Sequence, residues 1–147
     1  PIDTSKNNQK IPVNPGEVLF VGGKPCLSLN ILHEGSVRIE VTVGDISFAL
    51  YSLEGANMTP AIFPLLEGTT LPFTVRAKSS CTISTYVMNQ SNAKKTLTQK
   101  VSVGVMAVRT MLKEIGELYK KIIAIRGINA KAEKYIDNIG AAYFILN

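Results

Sequence analysis

The chain is poor in the residue types on which metal enzymes and membrane proteins depend. Its 147 residues include no tryptophan, one histidine and two cysteines. No apolar run approaches the roughly 18 residues that a membrane helix requires, so no membrane association is expected. Charged residues make up 18% of the chain and apolar residues 46%, a balance that is typical of a globular protein. The length indicates one compact domain.

The scarcity of histidine and cysteine limits the chemistry that the chain can perform. His33 alone cannot build the clustered imidazole site of a metal-dependent enzyme. Cys26 and Cys81 fit no metal-binding spacing and lie in apolar strand patterns, so we expect buried structural thiols. Gly22–Gly23 indicates a turn rather than a phosphate loop, and no G-x-S-x-G motif is present. The sequence therefore predicts a protein that is not an enzyme, with no cofactor and no metal.

Acidic residues are sparse in the second part of the chain. Residues 1–92 carry six Lys or Arg against seven Asp or Glu, whereas residues 93–147 carry ten against four. A basic segment of this kind suits nucleic acid, a membrane surface or an acidic partner, but a solvated helical face is the simpler interpretation. Because tryptophan is absent and aromatic and basic residues do not alternate, nucleic acid binding is expected only if a further domain follows.

The first part of the chain has the pattern of β structure. In "SVRIEVTV" apolar and polar residues alternate, which predicts a half-buried strand. Its apolar face carries Val37, Ile39, Val41 and Val43. Gly44–Asp45 then separates this run from "ISFALY", which predicts a tight hairpin. The apolar side of the second run carries Ile46, Phe48 and Leu50. Further strands are expected in "EVLFV", "LSLNIL", "FTVRA" and "CTISTYV", and seven or so short strands indicate a sandwich, jelly roll or small barrel.

The pattern becomes helical near Ser91. Ser91 or Asn92 can cap a helix, and apolar residues recur at helical spacing from Gln99. Gly127 is expected to end this helix and Asn129 to open a last one. We therefore predict a polar segment over 1–10, a β-roll over 11–90 and a helical segment over 91–147, with a lever helix over about 99–126 and a final helix over about 129–146. One side of the final helix carries Ala132, Tyr135, Ile136, Ile139 and Tyr143.

The lever helix carries a heptad seam. Its members are Val101, Val105, Val108, Leu112, Ile115, Tyr119 and Ile122. Such a stripe must be covered either by the β part of the same chain or by the same helix of a second chain. Further apolar residues fall off the seam, so the helix can pack on its own sheet and still offer a seam to a partner. We expect a homodimer through the long helix, with intramolecular packing alone as the alternative.

Particular residues of the β part resemble the cyclic nucleotide-binding domain family. The opening "NPGEVLFVGGKPCLSLNILHEGSVRI" is similar to that of the family, with glycines at Gly16, Gly23 and Gly35. "FTVRA" resembles the strand that follows the family's phosphate-binding cassette. The likeness runs from about Asn14 to Leu118. It implies a mainly β domain with a C-terminal α part: a double-stranded β-helix, or jelly roll, followed by long amphipathic helices.

The cassette itself departs from the family's pattern at its ligand-holding positions. In an alignment without gaps, the cassette glycine falls on Ala61, the ribose-binding glutamate on Ile62 and the phosphate-binding arginine on Leu71. Arg76 offers no replacement, because strand alternation places it opposite its neighbours on the inner face. The candidate ligand-binding positions that the resemblance implies are Ala61, Ile62, Leu65, Leu71, Pro72, Phe73 and Thr74.

These departures have a sizeable energetic consequence. A buried phosphodiester needs a paired cation, and removing one partner of a buried ion pair costs about 3–5 kcal/mol. Binding is then weaker by roughly two to three powers of ten, before the lost contact with the sugar is added. Three interpretations stay open: the segment is core, it forms a pocket for a neutral or apolar ligand, or it binds a cyclic nucleotide by an unusual route.

The sequence thus predicts a cytoplasmic, non-catalytic regulatory or interaction module that has lost cyclic AMP and cyclic GMP binding. The alternatives are a ligand sensor and the N-terminal part of a transcription regulator resembling the cyclic AMP receptor protein. The polar start "PIDTSKNNQK" lacks the apolar core of a signal peptide, and its leading proline is expected to mark a natural cytosolic start. The apolar end "AAYFILN" suggests a longer protein, with a possible partner domain beyond residue 147.

Overall fold

The computed structural model describes residues 9–146, with side chains described up to residue 127 and again at Lys131 and Lys134. Most of the predicted polar segment, residues 1–8, lies outside the described residues. So do the side chains predicted for one side of the final helix, which are those of Ala132, Tyr135, Ile136, Ile139 and Tyr143.

Seven strands form two antiparallel sheets. They are β1 (Lys10–Val13), β2 (Val18–Phe20), β3 (Ser28–Glu34), β4 (Ser36–Val43), β5 (Ile46–Glu54), β6 (Thr74–Ala77) and β7 (Cys81–Val87). One sheet has the order β1-β7-β3 and the other the order β2-β6-β4-β5. This two-sheet architecture, followed by a long helix, confirms the predicted mainly β fold with a C-terminal α part.

The two sheets enclose a core, called the roll core below, to which every strand contributes. Its members are Val13, Leu19, Leu32, Val37, Ile39, Tyr51, Leu53, Met58, Val75, Ala77, Cys81 and Ile83. Apolar residues on alternate positions of each strand supply it, because successive side chains of a strand point to opposite faces. Cys81 belongs to it, and Cys26 is also buried; both are free thiols, as expected.

The β4–β5 hairpin forms where Gly44–Asp45 predicts it. Val43 pairs with Ile46 across a two-residue turn in which Gly44 has a φ of 63°. The predicted burial is wrong near the tip, where Val43, Ile46 and Phe48 are exposed. The hairpin extends beyond the last residues that reach the roll core, so an alternating apolar face continues without a covering layer.

A bulge changes which residues of β5 are buried. Ile39 pairs with Tyr51 and Glu40 with Ala49, so Leu50 is an extra residue in β5. Tyr51 is consequently buried, and Leu50, which was predicted to share a face with the tip residues, is only half-buried. The extra residue shifts the inward face by one position.

Three helices complete the fold. They are α1 (Ile62–Glu67), α2 (Gln90–Gln99) and α3 (Val101–Leu146). The cap of α2 is Asn89, whose side chain accepts a hydrogen bond from the backbone N–H of Asn92 at 2.9 Å, so the predicted caps at Ser91 and Asn92 are wrong. Lys100 has an extended backbone and separates α2 from α3.

The predicted break at Gly127 is also wrong. α3 continues through Gly127 and Asn129 as one helix of 46 residues, about 69 Å long at 1.5 Å per residue. Gly127 does not adopt the positive φ that a helix-ending glycine uses. A glycine costs only about 1 kcal/mol inside a helix, which good helix formers on both sides offset.

Candidate functional site

The cassette segment begins with an alanine in an unusual backbone conformation. Ala61 has a φ of 63° and directly precedes α1. Only glycine adopts this left-handed region without strain, and for other residues it costs roughly 1–2 kcal/mol. The resemblance implies a glycine at this position, and the left-handed backbone of Ala61 is the conformation that a glycine adopts without strain. Burial of Ala61 and the contact of the Cys26 thiol with its carbonyl oxygen, at 3.7 Å, accompany the turn.

Four of the seven candidate positions lie in an apolar cluster rather than in an open pocket. This cluster, called the cassette cluster below, consists of Cys26, Leu29, Ala61, Ile62, Leu65, Leu71, Ala93, Val103 and Ala107. Ile62 is 1% exposed and Leu71 is 3% exposed. The side chains at the glutamate and arginine positions of the resemblance are therefore packed together with residues of α2 and α3.

The other three candidate positions border a small surface cavity. Thr74 accepts a hydrogen bond at 3.0 Å from the backbone N–H of Gly22, Phe73 is half-buried, and Pro72 is exposed. The cavity measures about 240 Å³. Its lining consists of Gly22, Gly23, Glu40, Thr42, Pro72, Phe73 and Thr74. The structure therefore divides the seven positions between packed core and a shallow, mostly polar depression.

The arginines near the cassette are engaged on the outer face of the sheet. Arg76 lies opposite its buried neighbours, as strand alternation predicts. Arg38 Nη2 and Arg76 Nε contact Glu40 Oε1 at 2.6 and 3.1 Å, and Arg76 Nη1 donates to the carbonyl oxygen of Gly16 at 2.8 Å. Burial raises the pKa of Glu40, but the hydrogen bonds from both arginines outweigh it and hold the pKa below its ordinary value. Among the side chains that the structure describes, no Lys or Arg is buried.

The seam on α3 faces away from its own roll. The seven predicted seam residues are all exposed. A groove of about 600 Å³ runs along the first part of the seam. Its lining consists of Leu97, Val101, Gly104, Val105, Val108, Arg109 and Leu112. Within the described part of the chain, therefore, intramolecular packing does not cover the seam.

A different face of α3 packs on the roll, and its polar members are not among the residues predicted from the sequence. The buried residues of this face are Val103, Ala107, Thr110 and Glu114, at intervals of four, three and four. Thr110 Oγ1 accepts a hydrogen bond from the backbone N–H of Thr59 at 2.8 Å and donates to the carbonyl oxygen of Met106 at 2.8 Å. These four residues have the same heptad spacing as the seam, which is a sequence signal for a second buried face. The signal is weak because two of the four residues, Thr110 and Glu114, are polar.

The residues considered for catalysis do not form a reactive set. His33 Nε2 lies 2.7 Å from Ser84 Oγ, and burial, with the nearby charge of Lys10, lowers the pKa of His33. Burial raises the pKa of both Cys26 and Cys81, which disfavours reactive thiolates. No group of three or more His, Cys, Asp or Glu suited to a metal ion occurs among the described residues. Within the same residues, no helix is both long enough and apolar enough to cross a bilayer.

Solved structures share this architecture. The c-di-GMP responsive global regulator CLP of Xanthomonas campestris matches with a TM-score of 0.60 at 17% identity, over 78% of this chain and 57% of its own. A CooA variant from Carboxydothermus hydrogenoformans matches with a TM-score of 0.60 at 14% identity, over 80% of this chain and 72% of its own. The cAMP-bound form of an EAL enzyme matches with a TM-score of 0.54 at 19% identity, over 82% of this chain and 32% of its own.

At these identities the likeness shows the fold: a β-roll of the cyclic nucleotide-binding type followed by a long helix. This chain spans 57% of the length of CLP and 32% of that of the EAL enzyme. No protein-family model and no curated protein matches the chain.

Proposed function

Because the chain has the fold of these regulators, we propose that it is a non-catalytic regulatory or interaction module in which apolar packing has replaced the site for a cyclic nucleotide. The β-roll, residues 11–90, supplies the scaffold. The helical segment, residues 91–147, supplies the surface for assembly. The module would serve within a longer signalling or regulatory protein.

The observation that carries this proposal is the burial of Ile62 and Leu71 in one cluster. A ribose hydroxyl and a phosphate need an acceptor and a cation at these positions, whereas two packed hydrocarbon side chains exclude both. Arg38 on β4 and Arg76 on the neighbouring strand β6 are both paired with Glu40. A cyclic nucleotide would therefore have to displace core side chains and bury its charge without a paired cation.

A thermal-unfolding titration with cyclic AMP, cyclic GMP and a cyclic dinucleotide tests the proposal. A ligand with micromolar affinity stabilises a protein by about 4 kcal/mol at a thousandfold excess over its dissociation constant. For a domain of this size that corresponds to a rise in melting temperature of roughly 10 °C. We expect a rise below about 2 °C at millimolar ligand, since a millimolar dissociation constant gives only about 0.4 kcal/mol. A rise near the larger value with any of the three would favour the ligand-sensor alternative instead.

We further propose that the module is a homodimer assembled through the seam of α3. The seam repeats with heptad spacing, is exposed, and lies beside an apolar groove. A heptad stripe is self-complementary, because each apolar side chain can insert between those of an identical helix. An exposed apolar stripe of this length is otherwise an aggregation hazard in water.

A second candidate is the N-terminal part of a transcription regulator. The likeness to CLP, described as a global regulator of virulence gene expression, favours it. The basic balance of residues 93–147 is compatible with this role. The coding sequence beyond residue 147 decides the matter: a helix-turn-helix there supports this candidate, and a different kind of domain removes it.

A further inference from the structure

One carboxylate is buried at the contact between α3 and the roll. Glu114 is 4% exposed, and its Oε1 has no hydrogen-bond partner among the described residues. The hydroxyl of Tyr51, a residue that belongs to the roll core, is the side-chain group that interacts with the carboxyl group. The carboxyl group therefore lies where α3 packs on β5, and one of its oxygens is buried without a partner among the described residues.

Among the side chains that the structure describes, no Lys or Arg forms an ion pair with Glu114. β5 contains two ionisable residues, Tyr51 and the exposed Glu54. On α3 the neighbours are Lys113, whose ammonium donates to the carbonyl oxygen of Glu54, and Glu117, which pairs with Lys120. The loop over residues 55–61, which supplies the Thr59 contact to α3, contains no ionisable residue. An ionised carboxylate in these surroundings is desolvated without a paired charge.

We propose that the docking of α3 on the roll depends on protonation, with Glu114 a neutral acid in the docked helix and an ionised, hydrated carboxylate when this part of the helix lifts from β5. The proton passes between the carboxyl group and solvent, so no other reactant is involved. Because the seam lies on the opposite face of the same helix, a change in docking also repositions the seam. The roll–helix contact then responds to proton concentration, which goes beyond the proposed function and does not depend on it.

The electrostatics place the response near neutral pH. Burial raises the pKa of Glu114 to about 7, and the hydrogen bond from Tyr51 lowers it in part. Burial also raises the pKa of Tyr51, with the charge of Glu114 adding to it, so Tyr51 stays a neutral donor throughout this range. Protonation therefore favours docking below neutrality, and ionisation opposes it above.

Backbone hydrogen–deuterium exchange of the full chain, corrected for the intrinsic pH dependence of exchange, tests this proposal. We expect exchange in the segment of α3 around Glu114 to rise more than about tenfold from about pH 5.5 to about pH 8.5, while the strands of the roll core change little. In Glu114→Gln, a neutral variant of the same shape, the rise should vanish. The matched control is Glu117→Gln, a neighbouring carboxylate outside the buried contact, which should behave as the wild type.

Tyr51→Phe provides a second readout that a purely structural role does not produce. The variant loses the hydrogen bond that favours the carboxylate but keeps the ring in the roll core, so the midpoint of the pH response should move to higher pH. The proposal would be overturned if, after correction for intrinsic exchange, the rate in the wild-type segment around Glu114 did not change with pH. A Glu114→Gln variant that keeps the wild-type response would also overturn it. Neither outcome bears on cyclic nucleotide binding, so the proposed function is tested separately.

Discussion

Replacing Val108 and Leu112 together with glutamate should separate the proposed dimer without unfolding its protomers. The two side chains are 54% and 65% exposed in the isolated chain, so their substitution removes little packing within it. Full burial of an aliphatic side chain contributes about 1.5–3 kcal/mol, and roughly half of that area is still free to be buried by a partner. Four such side chains per dimer then contribute roughly 4–6 kcal/mol, or about three to four powers of ten in the dissociation constant.

Sedimentation equilibrium over a wide range of protein concentration measures this effect. We expect a dimer for the wild type and a monomer with unchanged circular dichroism for the double variant. Lys121→Glu is the matched control, because it changes the net charge by the same two units at an exposed position off the seam. A double variant with the mass of the wild type, or a wild type that is monomeric at all concentrations, would refute assembly through the seam.

Four substitutions probe the packing and the charge of the structure. Leu71→Ala should lower the free energy of unfolding by about 2–5 kcal/mol, as for other buried leucines; a loss below about 1 kcal/mol in denaturant unfolding would place this side chain in an open pocket instead. Gly104→Ala should destabilise the chain by roughly 1–3 kcal/mol, because a Cβ there would lie 2.9 Å from the carbonyl oxygen of Leu97. At Gly116 an added Cβ would have no atom within 4 Å, so Gly116→Ala should stabilise α3 by about 1 kcal/mol. If the melting temperature shifted in the same direction in both glycine variants, the close contact between Gly104 of α3 and Leu97 of α2 would be contradicted. In the folded chain the pKa of Glu114 is raised from 4.5 to about 7, so folding takes up a proton between these two pH values. As the pH rises through this interval, the wild type should lose up to about 3 kcal/mol of unfolding free energy relative to Glu114→Gln. Parallel curves of stability against pH for the two proteins would show that the carboxyl group is not buried.

The strands were predictable because their signals are local. Period-two alternation over 36–43 and the Gly44–Asp45 turn specify the β4–β5 hairpin within a short stretch of chain. The bulge at Leu50 was not predictable, since an extra residue is visible only when two strands are paired. It decides that Tyr51, rather than Leu50, enters the roll core and meets α3. A single insertion in the register therefore creates the polar contact to the helix.

The helices were less predictable than the strands, because their ends and their buried faces depend on contacts with distant parts of the chain. The spacing of apolar residues identified the seam, and the structure leaves that seam exposed as one of two faces. The predicted break at Gly127 does not form, because the helix propensity of one glycine, about 1 kcal/mol below that of alanine, does not end a helix with favourable neighbours. The burial of Glu114 could not be foreseen, since a charged residue in a helical pattern usually faces water.

For the candidate site, the resemblance led to the prediction that ligand-holding residues are missing, with Leu71 at the position of a cation, but it did not predict how these positions pack. That Ile62 and Leu71 pack against α2 and α3, rather than line a cavity, depends on where those helices lie. The left-handed backbone at Ala61 is likewise a property of the folded chain.

Isothermal titration calorimetry of the unmodified chain with cyclic AMP shows whether an anion finds any partner in the roll. If apolar packing has replaced the nucleotide site, as we propose, no saturable heat is expected up to about 1 mM ligand, since an unpaired buried phosphate weakens binding to near or beyond the millimolar range. Saturable binding of one cyclic AMP per chain with a micromolar dissociation constant would contradict this proposal, for the cassette cluster would then have to open around a charge that the described side chains leave unpaired.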